Sequence, residues 1–174
     1  MSKRPLPQVR IRLDAIVGGG QAIGTCEDGR KMFVWGGLPG ELVLAQMTRK
    51  KSHFAEGYVV EVIEASPERI APRDPDSYLS TSPWQIMTFD AEQRDKAKLI
   101  DEAFALHDLT LPHETTVYSD AVEYGYRNKI EFSFWADSET GRLDLAFFRR
   151  GSKGKIIVKQ TSLASSAITT ASRQ

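Results

Sequence analysis

A chain of 174 residues with 23 basic and 23 acidic side chains has no net charge, so its overall charge gives no argument for a polyanionic partner. Hydrophobic content of 41% and charged content of 26% are ordinary for a folded soluble protein, and no run approaches the roughly 18 apolar residues of a membrane span. One cysteine, Cys26, excludes an internal disulfide framework and a multi-cysteine metal site built from this chain alone, and the start of the chain has basic residues but no apolar core like that of a secretory signal, so a cytoplasmic protein is expected.

Short strands broken by glycine come first. Val9, Ile11 and Leu13 alternate with Arg10 and Arg12, the period of a half-buried strand. Gly18-Gly19-Gly20 breaks the chain before Ala22 to Cys26, and Asp28-Gly29 is a tight-turn pair before Lys31 to Trp35. Glu41 to Met47 and Tyr58 to Ile63 complete five strands, which predict a small barrel of the OB type over residues 1–66. Closure would remove the exposed edges of so small a sheet.

Residues 67–82 read as a proline-rich linker or an irregular loop. A helix is expected next, capped by Asp90 with Gln93 as its partner, carrying Ala97, Ile100, Ala103 and Phe104 on one face and ending near His107. Strands are expected at Thr115 to Ser119, Tyr126 to Trp135, Leu143 to Phe147 and Ile156 to Val158. Within the second of these, Ile130, Phe132 and Phe134 share a face opposite Lys129, Glu131 and Ser133. Residues 83–160 thus form a small α+β domain, and residues 161–174 a tail with no evident core contribution.

Charge is concentrated locally. Arg49, Lys50, Lys51 and His53 adjoin Phe54, a loop that suits an RNA backbone and a stacked base, although a solvated surface loop would look the same. Tyr126, Arg127, Asn128 and Lys129 combine a stacking ring, two phosphate partners and an amide able to read a base edge; an ordinary strand entry is the alternative. Arg149, Arg150 and Lys153 lie in a flexible glycine setting.

Signals for catalysis are poor. Cys26 lies in a strand away from any histidine, and His53, His107 and His113 share no ligand spacing. Asp74 and Asp76 flank Pro75 as turn chemistry. The stretch Gly18 to Gly24 lacks the ending of a phosphate loop and reads as a flexible turn.

Gly24, Asp28-Gly29, Phe33-Val34 and Leu38-Pro39-Gly40-Glu41 together resemble the TRAM domain, an OB-like RNA-binding barrel. Tyr126 to Phe134 and Phe148 to Ser152 resemble two signatures of the central domain of class I RNA uracil-5-methyltransferases. The resemblance implies methylation of uridine C5 in ribosomal or transfer RNA with S-adenosylmethionine. It assigns the catalytic cysteine, the general base and the cofactor site to a C-terminal Rossmann-like domain whose pattern is not present in this chain. No catalytic residue is therefore expected here, no S-adenosylmethionine bound by this chain, and RNA plus a separate or missing catalytic domain are the expected partners. Many members of that family also hold a four-iron–four-sulfur cluster, with three cysteines before the helix and one after the final strand. Leu79 to Gln85 and Thr161-Ser162 stand at those places without cysteine, so no cluster is expected. A stand-alone RNA-binding or structural protein derived from the same family is the alternative reading.

Overall fold

A computed structural model describes residues 6–173. The basic residues Lys3 and Arg4 of the chain start lie outside the described residues.

Five strands close into an OB-like barrel: β1 (Gln8–Val17), β2 (Gln21–Thr25), β3 (Lys31–Trp35), β4 (Leu42–Lys50) and β5 (Phe54–Glu64), ordered β1-β2-β3-β5-β4 with β4 returning to β1. All neighbours are antiparallel except β3 and β5, which run parallel. Alternation sends Ile11, Leu13, Met32, Val34, Val43 and Ala45 inward, where each is almost fully buried. At about 1.5–3 kcal/mol for a fully buried large aliphatic side chain, burial of these residues stabilises the closed barrel. Gly24 belongs to it for a steric reason: a Cβ there would collide with the Arg12 carbonyl on the paired strand.

The proline-rich segment after β5 is built onto the barrel, with Tyr78 packed against its core and Arg69 paired with Glu41. It carries α1 (Tyr78–Thr81) and leads into a 3₁₀ turn, Pro83–Ile86, whose Ile86 joins Met87 and Ala91 in the barrel's own core cluster. Pro83 and Trp84 lie against Gly20, whose φ of +86° fits the turn expected there.

Helix α2 (Phe89–Ala105) is capped by Thr88, whose Oγ1 accepts from the Ala91 amide at 3.4 Å. Asp90, the expected cap, lies inside the first turn with Glu92, where carboxylates favour the positive end of the helix. The expected apolar stripe is only half used: Leu99 packs against the core cluster, but Ile100 and Phe104 are exposed.

A second sheet of three strands, β6 (Ser133–Ala136), β7 (Leu143–Phe148) and β8 (Lys155–Ile157), runs in the order β6-β7-β8. Phe132 stacks on Phe147 at 5.1 Å, and Ile130, Phe132 and Phe134 line one groove, as their alternation implies. The expected strand from Tyr126 is shorter, because Arg127 bonds to the tail instead: its amide donates to the Leu163 carbonyl and its carbonyl accepts from the Ser165 amide, both at 2.9 Å. Thr115 to Ser119 forms no strand; β-branched residues do not make one without an edge to pair with. The tail does enter the core: Thr161, Leu163 and Ala164 are buried, and α3 (Ser166–Ala171) follows.

Candidate nucleic-acid interface

Strands β3 and β5 place Trp35 directly beside Tyr58, both on the outward face opposite buried Val34 and Gly57. Arg49 lies on the neighbouring β4, paired with Glu56 at 3.1 Å and with its guanidinium 5.7 Å from the Phe54 ring centre. Phe54 in turn meets Phe33 edge to face at 6.0 Å. The segment read as a loop is therefore a tight hairpin. Arg49 and Lys50 end β4, Phe54 starts β5, and only Lys51, Ser52 and His53 form the exposed tip, closed by the Lys51 amide donating to the Phe54 carbonyl at 2.8 Å.

The β7–β8 turn comes down on this aromatic face. The Arg149 amide donates to the Gly154 carbonyl at 3.0 Å, and the Arg150 guanidinium sits 5.1 Å from the Trp35 ring. Gly151 makes the approach possible, with φ of +73° and space for a Cβ only 3.1 Å from Trp35 Cδ1. A groove of about 740 Å³ results, lined by Trp35, Tyr58 and Thr48 together with Arg49 and Lys153. Two basic segments far apart in sequence thus converge. Trp35 and Tyr58 were not among the expected site residues; the signal was their place on the solvent side of alternating barrel strands, where an aromatic has no core to fill.

The third basic segment lies elsewhere and is partly structural. Arg127 is half-buried and donates through Nη2 to the Thr81 carbonyl at 3.2 Å, tying the strand entry to α1. Asn128 is exposed, and Lys129 is exposed and paired with Glu131 at 3.0 Å. Tyr126 is about half exposed and forms part of a different, aromatic pocket with Trp84 and Tyr124. Burial raises the Tyr124 phenol above its ordinary range although Arg73 stacks on its ring, so the hydroxyl stays protonated near neutral pH.

Asp74 does more than shape a turn. Its carboxylate accepts from Thr161 Oγ1 at 2.8 Å, Ser162 Oγ at 2.9 Å and the Ser162 amide at 3.0 Å, and Gln85 Nε2 donates to it at 3.3 Å. The two segments that the family resemblance sets around an iron–sulfur cluster are therefore adjacent, but joined by hydrogen bonds. These groups do not fit a cluster: they are hydroxyls, an amide and a carboxylate already engaged with one another, with no thiolate. Cys26 lies in the barrel region, and its thiol is pushed up by burial first and by the Asp28 carboxylate second, which leaves it protonated and a weak nucleophile. Among the described residues, no three His, Cys, Asp or Glu side chains are grouped to hold a metal ion, and no helix is long and apolar enough to cross a membrane.

No family model matches the chain. Curated relatives do. A 23S rRNA (uracil(1939)-C(5))-methyltransferase of Halomonas elongata is 33% identical over 136 residues, covering 76% of this chain and 27% of its own length. The corresponding protein of Xylella fastidiosa is also 33% identical, over 70% of this chain and 28% of its own length. The chain belongs to the class I RNA uracil-5-methyltransferase family. An RNA methyltransferase of Gloeobacter violaceus, 28% identical over 83% of this chain and 32% of its own length, extends the match. The chain thus spans about three tenths of the length of these RNA methyltransferases.

Proposed function

We propose that this chain is the RNA-holding portion of an S-adenosylmethionine-dependent RNA uracil-5-methyltransferase, acting in the cytoplasm on ribosomal or transfer RNA. The observation that carries this reading is the groove in which Arg49 and Lys153 flank Trp35 and Tyr58 while Arg150 covers the Trp35 ring. Guanidinium and ammonium groups neutralise phosphates, and outward aromatic rings supply stacking surfaces for unpaired bases. The barrel is the TRAM-like unit, and the α+β unit supplies the second wall. Methyl transfer itself belongs to the part of the relatives that this chain does not match, and S-adenosylmethionine binds there. Arg127, Asn128 and Lys129 form a secondary contact, with Lys129 and Asn128 facing RNA and Arg127 holding the segment in place.

Filter binding to structured ribosomal and transfer RNA at two salt concentrations tests the proposal. Affinity that falls steeply with salt is expected. Absence of salt-dependent binding would remove it.

A further inference from the structure

A second concavity, of about 420 Å³, opens between the start of α2 and the 117–126 segment, away from the basic groove. Its chemistry is the opposite of that groove's. Trp84, Tyr118, Tyr124 and Tyr126 supply aromatic walls. Of the ionisable groups lining it besides tyrosine, Glu92, Asp120 and Glu123 are acidic and Lys96 alone is basic. Lys96 is committed twice, to Glu92 at 2.5 Å and to the Trp84 ring at 5.5 Å. A phosphate has no free cation to meet inside.

Just outside, the polarity reverses. Arg127 lies 5.9 Å from the centre of the Tyr126 ring, and Lys129 lies two residues further along the exposed strand entry. With ring faces and carboxylates within, one face of Tyr124 covered by Arg73, and the Arg127 guanidinium beside Tyr126 outside, a nucleotide fits this arrangement with its base inside and its phosphate outside. Single-stranded RNA is read in this way, by unstacked bases placed on aromatic side chains and bonded along their edges.

We infer that this pocket takes one unstacked nucleobase of the bound RNA, and that its surplus of carboxylates selects guanine. Guanine offers N1–H and an amino group as two parallel donors to a single carboxylate. Adenine and cytosine present an amino group without that neighbouring N–H, and uracil presents one N–H between two carbonyl oxygens that the carboxylates repel. This rests on the RNA-holding reading proposed above and adds base selectivity to it.

The test uses the full chain and hexaribonucleotides of uridine carrying guanosine, adenosine, cytidine or uridine at the third position. Binding is measured by fluorescence anisotropy, with the Trp84 indole N–H followed by NMR. About tenfold tighter binding of the guanosine hexamer is expected, as a well-formed pair of base-edge bonds would give. The Trp84 signal should shift with that hexamer far more than with the all-uridine one. Tyr118, 93% exposed, and Tyr126, 52% exposed, can be removed without opening the core, so Y118A/Y126A should keep its fold. In that variant the hexamers should converge to within about twofold while salt-dependent binding survives. Equal affinity of all hexamers for the native protein, or a guanosine preference intact in the double variant, would overturn the pocket and leave the RNA-holding reading standing. Loss of all binding to any hexamer or structured RNA by the native protein would defeat that reading and the pocket together.

Discussion

Arg69 grips Glu41 with two arms, Nε to Oε1 at 2.5 Å and Nη2 to Oε2 at 2.7 Å, and the Glu41 carboxylate is completely buried. Amides of Leu38 and Ser66 donate to the same carboxylate, so every oxygen of this charge is satisfied. The pair fastens the segment after β5 to the turn before β4. Removing the guanidinium strands a buried carboxylate, a situation that typically costs about 3–5 kcal/mol. R69M is therefore expected to lose that much stability in urea unfolding, whereas R69K, which keeps the charge but not the planar fork, should lose about 1 kcal/mol. Equal stability of R69M and the native chain would show that the fork is not a fastening.

A similar closure holds the tail. Asp74 and Ser162 are 88 residues apart, and their side chains and amide meet at 2.9–3.0 Å. In D74A the Ser162 amide and the buried Thr161 hydroxyl lose their acceptor, and bonds to a charged group are worth about 1.5–3 kcal/mol. The loss should be local. Hydrogen exchange at Ser162 and Arg127 is expected to accelerate, and proteases to cut after Lys159, while barrel amides such as Val43 stay protected.

These two closures explain what was legible in the sequence. The barrel strands could be read because alternation is a local property: Met32 and Val34 point inward and Phe33 and Trp35 outward. Asp28-Gly29 likewise announced its turn, with Gly29 at φ of +83°. The helix was visible but its cap was not, since Thr88 and Asp90 are both good capping residues and tertiary placement chose between them. Thr161 and Ser162 looked like an idle tail because their partner, Asp74, lies in the stretch read as a linker; nothing local marks a contact closed across such a distance. The groove was half legible. Both of its basic segments stood out, but not that Gly151 lets one descend on Trp35 beside the other.

Acid sensitivity should have a local signature at the β2–β3 turn. Asp28 bonds the Arg30 guanidinium, and this bond above all lowers its carboxyl to about 2 from an ordinary value near 4. A depressed carboxyl stabilises the fold above its unfolded pKa, and that stabilisation is lost as pH falls from about 4 through about 2. NMR titration of the Asp28 carboxyl should show a midpoint near 2 in the native chain and near 4 in R30Q. A native midpoint near 4 would mean the ion pair does not persist in solution.

Charge reversal separates the two basic regions by mechanism. In the groove, Arg150 and Lys153 are exposed and lie on a turn, so R150E/K153E should keep its thermal stability. If each meets one phosphate, the slope of log affinity against log salt should become shallower by about 1.4 for single-stranded RNA. R127E should behave differently. Arg127 Nη2 is bonded to the Thr81 carbonyl, so a carboxylate placed there would face an oxygen and be repelled. Its RNA affinity is expected to fall together with its melting temperature, and K129E, which disturbs only an exposed ion pair, should weaken binding alone and by less than R150E/K153E. A K129E defect larger than that of R150E/K153E would move the principal RNA contact from the groove to the strand entry.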